Sequence, residues 1–366
     1  MLELILYCCL ISLFITLFYY LYFFRKLVFY KNQESTFSKG VSVIICAKNE
    51  FDNLNNNLEL FLQQDYPNFE VIVVNDQSTD NTRYYLDDLD KKYSHLTIVN
   101  IDDNVRHAVG KKFALTMGIK TAKHDYILLS DADCYPSSKN WISKMSQGFN
   151  DKEIILGYGS YEKSNGLLNK LIRFDTYLVA IQYFSYSLNS LTYMGVGRNL
   201  AYKKELFFKN KGFANHLHIA SGDDDLFINE IANNNNVSIN IEKDTHTISK
   251  PENSFKSWIG QKRRHLTTGG MYDFKVKFLL SLYPIATLVF WSSIVMLYYL
   301  EFNSSILMAI LLIKLLNSYL SNYFLMKKLD VLDIFIFHPL IEIIHLFFQF
   351  IFQLLNINNK PKKWQS

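Results

Sequence analysis

The stretch Tyr126-Ile127-Leu128-Leu129-Ser130-Asp131-Ala132-Asp133 is an apolar run that ends abruptly in two carboxylates one residue apart. Successive large residues fit a strand buried on both faces of a parallel sheet, with Ser130 marking its C-terminal end. Ligands of open α/β sheets bind at that end. Two aspartates there, separated by one small residue, suit a hard divalent cation whose remaining positions go to diphosphate oxygens. An isolated Asp-x-Asp more often marks a polar turn, so its weight here comes from the pattern around it.

Upstream of it, Val41–Ala47 reads as a buried strand ending at Lys48-Asn49-Glu50, and Phe69–Val74 as a second ending at Asn75-Asp76-Gln77-Ser78-Thr79-Asp80. Residues 51–64 between them have helical spacing and stop at Asp65-Tyr66-Pro67, where proline cannot continue a helix. A further unit, helix 81–93 and strand 96–101, repeats the alternation, which implies a parallel, doubly wound sheet. Gly110-Lys111-Lys112 opens a helix to about Lys123. It lacks the earlier glycine of a nucleotide P-loop. Lys111 is nevertheless placed to meet a phosphate, with a solvated helix start as the plain alternative.

Downstream, Trp141–Phe149 reads as a helix and Ile154–Tyr161 as a strand. The aromatic-rich segment 166–191 is either a core helix or one lying in a membrane interface. Gly195-Val196-Gly197-Arg198-Asn199 permits close backbone approach to a ligand. Ser221-Gly222-Asp223-Asp224-Asp225-Leu226 is either a solvated helix start or the source of a general base, and Gln261-Lys262-Arg263-Arg264-His265 is a basic cluster able to meet lipid headgroups or a diphosphate.

The net charge is only +4 and no long basic block occurs, so a nucleic-acid partner is not expected. The cysteines, Cys8, Cys9, Cys46 and Cys134, form no CxxC pair, which argues against zinc and disulfides; Cys134 has no activating histidine in view. Leu2–Phe24 is long enough to cross a bilayer, and Arg25, Lys26 and Lys31 follow it. A membrane anchor over residues 1–30 with its C-terminal side in the cytosol is therefore expected, rather than a cleaved signal. Phe278–Leu300 and Ile306–Leu325 are further spans, and Ile334–Leu355 is a third run broken by His338-Pro339, Glu342 and His345. Three crossings would put Lys360, Lys362 and Lys363 outside, against the positive-inside rule, so one segment of 278–355 is expected to be re-entrant or interfacial.

The order of these motifs over 41–275 resembles membrane-bound family 2 glycosyltransferases of GT-A fold, related to cellulose and hyaluronan synthases. Val41–Glu50 resembles their opening strand, Asn75–Asp80 their Asp-Asp-Gly-Ser-Thr-Asp, Asp131-Ala132-Asp133 their Asp-x-Asp, and Gln261–His265 their Gln-x-x-Arg-Trp. The resemblance implies a mostly parallel, Rossmann-like α/β domain with transmembrane helices, in a multi-pass cell-membrane protein whose catalytic domain is cytosolic. It implies a nucleotide-sugar site of Glu50, Asp76, Lys111, Asp131, Gln261, Arg264 and His265, with Mg2+ or Mn2+ held by Asp133 and Asp131. Asp223 or Asp224 is implied as the base, Asp223 being favoured by its spacing from Leu226. Asn75, Gly222 and His265 depart from the family pattern, where aspartate, glutamate and tryptophan are usual.

The implied reaction is one inverting displacement onto a hydroxyl of a membrane-associated or lipid-linked acceptor. A processive polysaccharide synthase, a nucleotidyltransferase and a degenerate membrane scaffold are the alternatives. Few intramembrane polar residues, among them Lys314, Asn317, Glu342 and His345, favour limited transfer over polymer extrusion.

Overall fold

The computed structural model describes residues 1–101, 110–219 and 221–358, with Ile357 and Asn358 described by backbone alone. Lys360, Lys362 and Lys363 lie outside the described residues. Strands β1 (Val41–Ala47), β2 (Phe69–Asp76), β3 (Leu96–Ile101) and β4 (Tyr126–Asp131) pair in parallel in the order β3-β2-β1-β4. Their apolar runs are continuous because both faces are covered. Val41, Val43 and Ile45 share a core with Leu54, Leu58 and Phe61 of helix Phe51–Leu62, whereas Ile44, Ile72 and Val74 pack with Ala114, Leu115 and Ile119 of helix Lys111–Thr121. Gly118 lets that helix lie close, since a Cβ there would come within 2.6 Å of Ile44.

Past β4 the sheet becomes mixed. With β5 (Cys134–Pro136), β6 (Ile154–Leu156), β7 (Gly159–Tyr161), β8 (Leu200–Lys203), β9 (Val237–Ile239) and β10 (Thr247–Ser249), the main sheet continues β4-β8-β6-β9 and a second sheet runs β5-β10-β7. β8 is antiparallel to both neighbours. The single strand expected over 154–161 is thus two strands in two sheets. The crossing is held at Gly157-Tyr158, where Tyr183 donates to the Gly157 carbonyl and Asn199 to the carbonyls of Tyr158 and Thr245. Helix Trp141–Ser146 is followed by a 3-10 turn, Gln147–Asn150, in place of one α-helix to Phe149.

Among the described residues, four helices are long and apolar enough to cross a membrane: Leu2–Phe29, Phe274–Tyr299, Ser304–Lys328 and His338–Asn356. The aromatic segment forms helix Leu167–Ser187, and most of it is buried. It is a core helix: Tyr177 donates to Asn322, and Arg173 makes two 2.7 Å bonds to Asp333. Tyr19, Phe23 and Phe24 of the first helix belong to the same apolar core as Ile44 and Leu129 of the sheet. A polar layer joins the long helices, with Tyr20 against Tyr283 and Ser318, Tyr283 donating to Glu342 at 2.8 Å, and Ser318 bonded to His338 at 2.8 Å.

Candidate functional site

The ends of β1 and β2 are tied by short polar side chains. Asn49, with φ 55°, accepts from the Thr79 amide at 2.8 Å and donates its own amide to Ser78 at 2.9 Å. Asp80 accepts from the amides of Phe51 and Thr82. Asp80 therefore builds the turn, and the turn sets Glu50 and Asp76 side by side at the sheet's C-terminal edge. Glu50 accepts from Asn53 at 2.7 Å. Burial, and then the charges of Asp133, Asp131 and Asp80, push its carboxyl upward against the opposing bond from Asn53. Asp76 is only 1% exposed, and neither carboxylate oxygen has a hydrogen bond among the described residues. Burial raises its pKa, partly offset by the charge of Lys48. Asn75, the departure from aspartate, donates to Asn100 at 2.8 Å, a bond between neutral groups.

The two acidic clusters meet on one lysine. Lys111 lies 2.8 Å from Asp131 and 3.0 Å from Asp223. Asp223 and Asp225 are each 7% exposed, so the solvated helix start does not hold for them. The three consecutive aspartates have different partners. Burial raises the Asp223 carboxyl, but Lys111 outweighs it and the net direction is down. Asp224 accepts from the amides of Gly197 and Asp225, both at 2.8 Å, and is pushed up to about 7 by burial and by the charges on either side. Asp225 accepts from Thr268 at 2.5 Å and Tyr272 at 2.6 Å, which makes it a brace between this helix and the segment after His265. Gly222 stands where the family has glutamate because its φ is 94° and a Cβ would meet Leu226 at 2.6 Å. The glycine at 197 lets Asp224 approach the backbone, and a Cβ there would contact Asp224 and Lys111.

Asp133 has the Cys134 thiol as a weak donor at 3.4 Å. Burial first, then the Asp131 charge, raises its pKa, and Arg198 acts in the opposite sense. Cys134 is fully buried against Ser249, which removes it as a nucleophile. Among the described residues no three His, Cys, Asp or Glu side chains form a metal cage. Two carboxylates completed by phosphate oxygens are the alternative donor set that a hard cation accepts.

Arg198 is the residue that the sequence pattern did not single out. It donates to the Gly159 carbonyl at 2.7 Å and lies 4.4 Å over the Tyr161 ring, and Tyr161 in turn donates to Gln261 at 3.4 Å. Its neighbours come from β7 and from helix Phe255–His265, so only the tertiary structure assembles them. Gln261 is linked to the cleft through Tyr161 and Arg198, whose charge acts on Asp133. His265 keeps an exposed edge, yet desolvation by the surrounding protein, followed by Lys262, Arg264 and Arg198, drives its pKa well down.

A doubly wound sheet with acidic clusters converging at its C-terminal edge is the frame of a nucleotide-sugar transferase, and residues 42–209 match the family model "Glycosyl transferase family 2". Residues 42–209 are thus a match to the family 2 glycosyltransferase domain, the fold is GT-A, and the chain bears four membrane-length helices among the described residues. It is similar to the poly-beta-1,6-N-acetyl-D-glucosamine synthase of Staphylococcus epidermidis, 35% identical over 95 residues that cover 26% of this chain and 22% of that one. It is also similar to a dolichyl N-acetyl-glucosaminyl phosphate diacetamido-dideoxy-glucuronosyltransferase of Methanococcus voltae, 29% identical over 46% of this chain and 50% of that one. The chain therefore aligns with half or less of the length of these relatives. A mannosyltransferase from Pyrobaculum calidifontis, solved with GDP-Man and Mn2+, shares the fold with a TM-score of 0.59 at 17% identity, over 92% of this chain and 97% of that one.

Proposed function

We propose that the chain transfers a sugar, with inversion, from a nucleoside-diphosphate sugar to a hydroxyl of a membrane-associated or lipid-linked acceptor. The observation that carries this is the convergence on Lys111 of Asp131, at the end of β4, and Asp223, from the distant second cluster. Asp76 and Glu50 hold the nucleoside; the unpaired, buried oxygens of Asp76 suit base or ribose donors. Asp133 and Asp131 would hold Mg2+ or Mn2+, whose positive charge would stabilise the diphosphate. Lys111 and Arg264 add charge on the leaving-group side. Asp223 or Asp224 takes the acceptor hydroxyl proton as the oxygen attacks the anomeric carbon, the bond to the diphosphate breaks, and a nucleoside diphosphate leaves. Gln261 and His265 border the acceptor side. Purified protein incubated with labelled nucleotide-sugars tests this. Free nucleoside diphosphate with label in a lipid extract is expected. Pyrophosphate release marks a nucleotidyltransferase instead, and label confined to a high-molecular-weight fraction marks a processive synthase.

The transferase domain faces the cytosol of a multi-pass cell-membrane protein in this reading. Lys26, Lys31, Lys327 and Lys328 at the domain-side ends of helices Leu2–Phe29 and Ser304–Lys328 support it. Helix His338–Asn358 begins at His338, bonded to Ser318 within the preceding span, and near its other end Asn356 is bonded to Arg263 of the transferase domain. A helix that starts inside the bundle and returns to the catalytic face is re-entrant or interfacial.

A further inference from the structure

Helix Phe255–His265 presents two stripes. Phe255, Trp258 and Lys262, spaced by three and four, form one; Gln261, Arg264 and His265 form the other. The first stripe lies on the C-terminal helix, with Phe255 stacked on Phe348 at 5.6 Å and Trp258 against Phe348 and Phe352. Next to it Arg263 donates to Asn356 at 3.2 Å and to the Leu355 carbonyl at 3.1 Å, and Asn356 donates back to the Arg263 carbonyl at 3.0 Å. The centre of this contact is a charge. Asp175, on helix Leu167–Ser187, has a side chain only 6% exposed and lies 2.7 Å from His345, with the Lys262 ammonium against its other oxygen. Burial raises the Asp175 carboxyl, but Lys262 and His345 outweigh it and hold it below the usual carboxylate range. A buried carboxylate is tolerated only with such close partners, and removing one leaves the rest uncompensated.

We propose that Asp175 is a positioning residue: by holding Lys262 and His345 together it sets the angle of helix Phe255–His265 and thereby aims Gln261 and His265 at the acceptor side of the cleft and Arg264 at the leaving group. The proposal rests on the transferase reading above. Asp175 touches none of Glu50, Asp76, Asp131 and Asp133, the groups assigned to the nucleoside and the cation, so its effect is separable from nucleoside binding. Misplacement of reacting groups by about 1 Å costs about 100-fold. D175N is therefore expected to lower acceptor kcat/KM about 10- to 100-fold while nucleoside-monophosphate binding, measured by calorimetry, stays within about twofold.

Two further variants keep the test decisive if D175N does not fold. D175E, which retains the charge, is expected to recover most of the activity. The double variant D175L/K262M removes the buried pair without stranding a charge; it is expected to regain thermal stability but not acceptor turnover. Acceptor kcat/KM within about threefold of wild type in D175L/K262M overturns the proposal, as does a parallel loss of nucleoside-monophosphate affinity in every variant. Absence of glycosyl transfer by the wild-type chain in the same assay overturns the transferase reading instead.

Discussion

Two regions of this molecule bury charged and polar side chains among apolar neighbours, and they differ in how completely those side chains are paired. In the layer between the long helices, Tyr20, Tyr283, Ser318, Asn322, Glu342 and His338 pass hydrogen bonds from one to the next. Lys314 and the Asn317 amide nitrogen stand outside this network: among the described residues neither has a hydrogen bond, and the Lys314 ammonium lies 5.6 Å from the centre of the Tyr20 ring. In the cleft at the sheet edge, and among the described residues, Asp76 has unsatisfied oxygens, Asp133 has a thiol as its hydrogen-bond donor, and Lys111 is shared between Asp131 and Asp223. A satisfied network stabilises one arrangement of helices. An under-satisfied one retains binding capacity, at a cost in stability that a ligand can relieve.

The largest effect is expected at the proposed cation ligand of the open cleft. Asp133→Ala should lower transfer by about 10³-fold or more, since it removes a proposed direct ligand of the cation. Activity should vanish in chelator and return with Mg2+ or Mn2+. Full turnover in chelator would break the contrast, because the cleft would then be complete without a cation.

Next come the two candidate bases. Asn at 223 or at 224 should leave donor binding intact and lower turnover about 10²- to 10⁴-fold at whichever position is the base. Their electrostatics separate them by pH as well. Asp224, with a pKa of about 7, is protonated below that value, so turnover should rise through pH 7 if it is the base. Asp223 is held low by Lys111, so turnover should be flat over that window if the base is Asp223. Stability carries the opposite sign. Between about pH 4, where an unfolded aspartate ionises, and about pH 7 the folded state binds the extra proton at Asp224, so its contribution falls as pH rises through that window. Thermal melts from pH 4.5 to 7.5 on wild type and D224N read this directly, and identical pH slopes would contradict the assignment.

Smaller effects are expected where side chains are already satisfied. Tyr272→Phe removes one of the two hydroxyls on buried Asp225 and should cost about 1–3 kcal/mol of stability, read as a lowered Tm, with turnover reduced only as far as Asp224 shifts. In the membrane layer, Tyr20→Phe should cost about 0.6 kcal/mol and leave transfer within about twofold. A loss of transfer in Tyr20→Phe larger than that in Tyr272→Phe would mean that the polar layer takes part in acceptor handling.

The strands β1 to β4 were legible in the sequence because a strand covered on both faces must be a short apolar run, and the carboxylates of Asp76, Asp131 and Asp133 follow directly from where those runs stop. The long helices were legible for a similar reason, since a bilayer's thickness sets a minimum apolar length. What sequence left open was every pairing between distant segments. Nothing in Ser221–Leu226 says that Asp223 meets Lys111, that Asp224 meets Gly197, or that Asp225 turns away to Tyr272. Local pattern treats adjacent aspartates alike, whereas φ 94° at Gly222 and the helix that follows send them in different directions. Arg198 and Asp175 escaped notice because their partners lie on other elements: the Gly159 carbonyl and Tyr161 for one, Lys262 and His345 for the other. Burial and its compensation are properties of packed surfaces, so the pattern along the chain determined which residues lie at the sheet edge, and the tertiary contacts alone decided which of them are paired and which remain open to a ligand.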